Sequence, residues 1–171
     1  MERMNGDRQH NGGQQPAADE GQPQGPRLAI LAQYVKDLSF ENPRGPGGFA
    51  GIQARPEIQI RVEVRGEPRG EDQHEVVLEL AVDARLGEQP VFLLELAYGG
   101  LFALQNIPPD ALQPLLMIEC PRLLFPFARR IVADLTRDGG FPPLMLDPID
   151  FVSLYRRQLQ QQAAQRPTGS A

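Results

Sequence analysis

The chain has 171 residues, of which 41% are hydrophobic, and it carries a formal net charge of -5. This acidic balance argues against nucleic acid as the main ligand, because phosphate binding needs clustered Lys and Arg. No stretch approaches the roughly 20 uncharged apolar residues of a membrane span, so we predict a soluble protein that does not insert into membranes.

Composition divides the chain into three parts. Residues 1–26 are rich in Gly, Gln and Pro and lack an apolar run, which predicts a disordered N-terminal tail that is not a signal peptide. Residues 27–160 are predicted to form one domain, and residues 161–171 a flexible C-terminal tail. The single cysteine, Cys120, cannot form an internal disulfide, which is typical of a reducing compartment, so we expect a cytoplasmic protein.

The first predicted element, Leu28 to Phe40, has an ambiguous apolar pattern. Its apolar positions fit either a helix or a strand, and we predict a strand. These positions are Ile30, Leu31, Tyr34, Val35 and Leu38. The segment from Glu41 to Gly51 is rich in Pro and Gly, so a long irregular connection is expected there.

Three clearer strands follow. Glu57–Arg65 alternates strictly between apolar and polar residues. His74–Leu86 has apolar residues on one face and a mixture of apolar and acidic residues on the other, as in a half-buried strand. After a break at residues 87–90, the run Val91–Phe102 completes a predicted hairpin. Because both faces of this last run are largely apolar, one is expected to cover the core and the other to meet another surface, such as a second subunit.

Helical spacing begins after Gly99-Gly100. We predict helices over Pro109–Glu119 and Pro121–Arg137, and a last helix that starts with an Asp147 N-cap and Pro148 and runs to about Gln160. The apolar stripe of the second helix is predicted at Leu124, Phe127, Ala128, Ile131 and Leu135. Strands followed by helices predict the α+β class, with a four-stranded antiparallel sheet and the helices packed on one face.

The sequence offers no convincing catalytic group, and we predict that the protein is not an enzyme. Cys120 lies in an apolar helical region, which favours a buried inert thiol over a nucleophile. His74 follows an acidic segment at a strand entrance, where a solvated histidine is the better interpretation. The spacing of His and Cys fits no metal site, so neither a metal nor another cofactor is expected.

Several strings nonetheless resemble the SecB family of protein-export chaperones, in the family's own order. They span Leu28 to about Gln162, and the Leu124–Arg129 and Phe141–Leu144 strings are the most specific. The matching strings are Tyr34–Pro43, Glu75–Leu78, Leu86–Glu88, Val91–Glu95, Gly99–Gly100, Cys120–Pro121, Leu124–Arg129, Phe141–Leu144, Asp147–Pro148 and Phe151.

The resemblance implies a chaperone that binds unfolded secretory precursors, keeps them translocation-competent and delivers them to the SecA ATPase. It also implies a homotetramer, a dimer of dimers whose sheets pair into eight strands with helices packed between them. The family's SecA contacts correspond here to Asp37, Glu41, Leu93 and Glu95. Carboxylates beside an apolar residue suit a basic partner segment, although an ordinary solvated strand face has the same composition.

Two further sets of residues follow from the resemblance. An apolar client-binding groove is expected between the long loop and the helices, lined by Phe40, Phe49, Phe125, Phe127 and Phe141. The oligomer interface is expected at Phe92, Leu94, Leu96 and Tyr98. For each of these residues, a place in the ordinary core is the competing interpretation.

Two other functions remain open. One is a specialised chaperone on the same scaffold, for example of a toxin-antitoxin system, with few clients and no SecA binding. The other is a small-ligand-binding or enzymatic α+β domain in which the Pro/Gly-rich loop covers an apolar pocket. The sequence does not identify the clients, their affinities, the role of the tails or whether the tetramer dissociates in use.

Overall fold

The computed structural model of this chain describes residues 25–45 and 55–165. Within them, the strands β1 to β4 precede the helices, and they pair antiparallel in the order β1-β4-β3-β2. The α+β class and the four-stranded antiparallel sheet are confirmed. The strands are β1 (Arg27–Glu41), β2 (Glu57–Pro68), β3 (Gln73–Leu86) and β4 (Gln89–Gln105). The helical elements are α1 (Pro109–Pro114), a π-helical turn (Leu115–Glu119), α2 (Cys120–Asp138) and α3 (Phe151–Gln165).

The core lies between one face of the sheet and the helices. On β3, Leu78 and Leu80 are almost completely buried, as the two-residue alternation predicts, and Leu94 on β4 is equally buried. These side chains share one apolar cluster with Leu124 of α2 and Phe151 of α3. The face of the sheet that the helices cover is called the inner face below, and the opposite face is called the open face.

The pairing of strand β1 with β4 is interrupted twice, which explains why the apolar pattern of β1 is ambiguous. Its pairing with β4 is interrupted between Ile30 and Ala32 and again between Val35 and Asp37, so that Leu31 and Lys36 each occupy a β-bulge. Each bulge shifts the alternation of side chains by one residue. Apolar residues therefore recur at spacings that resemble a helix, although the segment is a strand.

The predicted apolar stripe of α2 is only partly right. Leu124 and Ala128 are buried, but Phe127 is 44% exposed, and Ile131 and Leu135 are only half-buried. The face that packs on the sheet is instead formed by Cys120, Pro121, Leu124, Phe125, Ala128, Val132, Ala133 and Thr136. The stripe thus ends in a polar residue, Thr136, whose hydroxyl donates to the Val132 carbonyl at 2.9 Å and accepts the Leu144 N–H at 2.9 Å.

The start of the last helix also differs from the prediction. The helix begins at Phe151, and Asp150 rather than Asp147 caps it, since a carboxylate oxygen of Asp150 accepts the Ser153 N–H at 3.0 Å. The Ser153 hydroxyl also donates to Asp150, at 2.7 Å, and this bond together with the one from the Ser153 N–H lowers the pKa of Asp150. The helix continues to Gln165, beyond the predicted end near Gln160. The predicted division of the chain into a domain and two tails stays a prediction.

Candidate functional site

The open face of the sheet carries most of the candidate binding residues. Adjacent strands place their residues in transverse rows, because opposite partners on antiparallel strands lie side by side. One row runs Glu41, Leu93, Asp83, Gln59, and the next runs Ser39, Glu95, Ala81, Arg61. A third row contains Asp37, Ala97, Glu79 and Glu63.

The four residues that the resemblance assigns to SecA contact lie close together in these rows. Glu41 is directly opposite Leu93, and Glu95 occupies the next row along β4. Two shallow grooves, of about 270 and 400 Å³, cross this region, and Glu95 lines both of them. Asp37 lines the first groove, and Glu41 and Leu93 line the second.

Charge is unevenly distributed over the open face. Toward β2 the acidic side chains have basic partners: Arg65 lies 3.0 Å from Glu79, and Arg85 lies 2.9 Å from Asp83. Over the β1 and β4 half, no ion pair to Asp37, Glu41 or Glu95 occurs within residues 25–45 and 55–165. This half is therefore a patch of carboxylates around the apolar Leu93, and its field attracts basic groups.

Beyond the end of this patch, the open face carries a polar cluster that sequence reasoning missed. Its centre is Glu75 of β3, which is only 5% exposed. The Tyr34 hydroxyl and the Lys36 ammonium, at 2.9 Å, both donate to Oε1 of Glu75. The guanidinium of Arg69 donates through Nε, at 3.0 Å, and Nη2 to Oε2. We call these four residues the Glu75 cluster.

Hydrogen bonding and burial shift the acid–base behaviour of the Glu75 cluster. The bonds from Tyr34, Arg69 and Lys36 lower the pKa of Glu75 to about 2. Burial, reinforced by the bond to Glu75, raises the pKa of Tyr34 to about 12. The cluster therefore holds a carboxylate and a neutral phenol throughout the physiological pH range.

Glycine at position 99 makes this cluster possible. The ring of Tyr34 lies so close to Gly99 that a Cβ at position 99 would be 2.8 Å from a ring carbon. Tyr34 thus crosses β4 without hindrance and reaches Glu75 on the strand beyond. This arrangement could not be predicted from the sequence, because strand pairing is what brings Tyr34 and Lys36 of β1 to Glu75 of β3.

The phenylalanines predicted to line one client-binding groove lie in separate places. Phe40 and Phe141 are half-buried and pack around Phe92, with ring centroids 5.8 and 5.0 Å from it. Phe125 is buried edge-on against Phe151, with centroids 6.2 Å apart. The remaining two differ: Phe127 stacks on Tyr98 and stays exposed, and Phe49 lies outside the described residues.

The residues predicted to form the oligomer interface are core residues of a single chain. Phe92, Leu94, Leu96 and Tyr98 are between 0% and 8% exposed. They alternate onto the inner face, where the helices cover them, which fits the competing interpretation of an ordinary core. Their part in an oligomer interface stays a prediction.

A surface that a second copy could reach lies beside these core residues. On the inner side of β1, Val35 and Leu38 are 46% and 40% exposed. Val35 is opposite Tyr98, on which Phe127 of α2 stacks, and Leu123 of the same helix is 40% exposed. We call Ile30, Val35, Leu38 and Leu123 the β1–α2 apolar surface. Exposed apolar side chains grouped on neighbouring elements are typical of a surface that contacts another protein.

Few other side chains among the described residues are candidates for catalysis or metal binding. Burial raises the pKa of the Cys120 thiol to about 12, and the nearby Glu119 adds to this effect. Across the described ranges, no group of three or more His, Cys, Asp or Glu could hold a metal ion. In the same ranges, every helix is too short or too polar to cross a membrane.

Sequence comparison relates the chain to export proteins. Residues 21–162 match the family described as preprotein translocase subunit SecB. The protein-export protein SecB of a Bradyrhizobium species is 55% identical over 139 residues, which covers 81% of this chain and 86% of that protein. The protein-export protein SecB of Maricaulis maris is 53% identical over 150 residues, covering 88% of this chain and 87% of that protein.

Structural comparison gives the same fold. A SecB-like chaperone from Mycobacterium tuberculosis, solved in complex with a peptide from an antitoxin, matches with a TM-score of 0.56 at 19% identity. The match covers 72% of this chain and 91% of that chain. At this level of identity the likeness concerns the arrangement of strands and helices only.

Proposed function

The chain belongs to the SecB family of protein-export chaperones, and from this premise we propose that it binds unfolded secretory precursors in the cytoplasm and delivers them to the SecA ATPase. The observation that carries the delivery step is the carboxylate patch on the open face. Asp37, Glu41 and Glu95 surround Leu93 there without a basic partner among the described residues. The proposal assigns no catalytic step and no cofactor to the chain.

The patch suits a basic partner segment for two reasons. Unpaired carboxylates attract Lys and Arg over a distance of about one Debye length, which speeds association at low salt. Leu93 is half-buried and adds apolar area at the centre, where contacts that exclude water contribute most to affinity. We propose that SecA is this partner, and that Asp37, Glu41, Leu93 and Glu95 form its binding site.

The test is the affinity of purified SecA for variants of the patch. Glu95→Lys and Leu93→Gln are expected to weaken SecA binding at least tenfold, and binding by the unchanged chain should weaken as salt is raised. Both side chains are accessible, so the far-ultraviolet circular dichroism and the unfolding midpoint should stay unchanged. Glu57→Lys is the matched control, because Glu57 is exposed on β2 and lines neither groove. Equal effects of Glu57→Lys and Glu95→Lys would contradict the assignment.

Client binding is proposed to use exposed apolar surface, since unfolded precursors differ in sequence and can share only non-directional contacts. Phe125, which is buried against Phe151, is accessible only if the helices move. The half-buried Phe40 and Phe141 and the exposed Phe127 are the described members of the predicted groove that offer surface. We keep these three, with Phe49, as the proposed client-binding residues.

Assembly into a dimer of dimers is proposed to involve the β1–α2 apolar surface, beside Phe92, Leu94, Leu96 and Tyr98. The edge position of β1 leaves one side of its backbone unpaired among the described residues, which would allow a second sheet to continue it. Leu123→Asp is expected to reduce the mass measured by light scattering without unfolding the chain, because Leu123 is exposed and belongs to none of the proposed client-binding residues. An unchanged mass would exclude this surface as a subunit contact.

The whole proposal is tested by light scattering of the purified chain, alone and with an unfolded precursor. A tetramer that takes up the precursor, and slows its refolding at stoichiometric ratio, would support a holding chaperone. A monomer that ignores the precursor would refute it. The small-ligand alternative depends on a loop whose residues 46–54 lie outside the described ranges, so it stays a hypothesis without structural support.

A further inference from the structure

We infer that the Glu75 cluster positions the proposed SecA-binding patch by holding the bulge at Lys36. This inference rests on the function proposed above. None of the four cluster residues belongs to the patch itself. Their role is to determine which face of β1 presents Asp37 and Glu41.

The bulge decides the orientation of the patch. Tyr34 and Asp37 are three positions apart, yet both lie on the open face: Tyr34 covers Gly99, and Asp37 lines a groove with Glu95. A regular strand brings residues two positions apart to one face, so it could not place both there. The extra residue, Lys36, lies between Val35 and Asp37 and has no partner on β4.

Without the bulge, β1 would continue in register from Val35 and every later side chain would change face. Asp37 and Glu41 would then turn toward the helices, and Leu38 would turn to the open face. The patch would lose two of its three carboxylates. A one-residue change in pairing therefore separates a complete patch from an incomplete one.

The Glu75 cluster binds β1 at the bulge. Tyr34 precedes the bulge and Lys36 occupies it, and both donate to the same oxygen of Glu75. Glu75 is fixed in turn by Arg69, which binds the other oxygen through two nitrogens. A buried carboxylate with charged donors forms strong hydrogen bonds, and its removal leaves those donors without a partner.

The first experiment compares SecA and precursor binding of Glu75→Gln and Tyr34→Phe with those of the unchanged chain. We expect Glu75→Gln to weaken SecA binding about tenfold, the size of one lost charge-assisted hydrogen bond. Tyr34→Phe should have a smaller effect in the same direction. Precursor binding should stay within about twofold and the mass of the assembly should be unchanged, because no residue of the Glu75 cluster belongs to the proposed client-binding residues or to the β1–α2 apolar surface. A parallel loss of SecA and precursor binding would overturn the inference in favour of general destabilisation.

The second experiment deletes Lys36, which removes the extra residue and leaves Val35 and Asp37 on their present faces. In that background the bulge no longer needs support, so Glu75→Gln should change SecA binding less than about twofold. An undiminished tenfold loss in the double variant would overturn the inference. Failure of the proposed function looks different, since the unchanged chain would then not bind SecA or Leu93→Gln would have no effect.

Discussion

The Glu75 cluster makes stability depend on pH in a way that can be calculated. Its hydrogen bonds lower the pKa of Glu75 from 4.5 to about 2. This difference of about 2.5 pH units corresponds to about 3 kcal/mol of stability. Because Lys36 and Arg69 are 44% and 46% exposed, solvent screens part of the interaction, and we expect about 2 kcal/mol.

The direction of this pH dependence follows from the lowered pKa of Glu75. A carboxyl group with a lowered pKa in the folded chain stabilises that chain fully above the pKa of the unfolded chain. The contribution of Glu75 should therefore be complete above about pH 4.5 and disappear as the pH falls toward about 2. Glu75→Gln should be less stable than the unchanged chain by about 2 kcal/mol at pH 7, and the two should converge in acid.

Urea unfolding at a series of pH values measures this difference. Circular dichroism is the suitable probe, because the chain contains no tryptophan, and the chain concentration must be fixed since assembly adds to apparent stability. Glu79→Gln is the matched control, because Glu79 lies on the same strand and pairs with Arg65 at the more exposed end of that face. A difference between Glu75→Gln and the unchanged chain that persisted down to pH 2 would refute the electrostatic argument.

Three further predictions concern other parts of the molecule. Gly100→Ala should lower the free energy of unfolding by about 1–3 kcal/mol in urea titrations, because its Cβ would lie 2.7 Å from core side-chain atoms; Gly70→Ala, which meets nothing closer than 3.7 Å, should change it by less than about 0.5 kcal/mol. The Cys120 thiol should react with an aromatic disulfide reagent only after unfolding, and rapid reaction of the native chain would contradict its burial. Arg61→Glu should strengthen SecA binding severalfold at low salt, because Arg61 is a cation that lines both grooves of the acidic patch. Weaker binding by this variant would contradict the proposal that the patch binds a basic segment.

Much of the fold could be predicted from the sequence because β2 and β3 alternate clearly and short breaks separate β3 from its neighbours in the chain. Each strand keeps one register over its length or nearly so, and the apolar side of β3 is the buried side. Strand β1 was harder because Leu31 and Lys36 occupy bulges, and a bulge changes the phase of the alternation. The choice between strand and helix for β1 was thus decided by pairing with β4, which the local sequence does not encode.

The candidate site was predictable only in part. Asp37, Glu41, Leu93 and Glu95 were selected by resemblance, and the register of β1 and β4 explains why they are neighbours. The Glu75 cluster could not be predicted, because charged residues are expected in solvent and Tyr34 and Lys36 are 41 and 39 positions from Glu75 in the sequence. In α2, the apolar pattern predicts Phe127 on the buried face, whereas the structure buries Phe125 instead. A pattern of apolar residues omits Thr136, whose buried hydroxyl marks the face that packs on the sheet.

The order of the strands has a consequence for synthesis. Strand β1 leaves the ribosome first, but its partner β4 follows roughly 50 to 80 residues later, after β2 and β3. The three later strands form a meander of local hairpins, which can pair early, whereas β1 must wait for a long loop to close. Asp37 and Glu41 therefore join Leu93 and Glu95 at a late step, and an incompletely folded chain should lack the proposed SecA-binding patch.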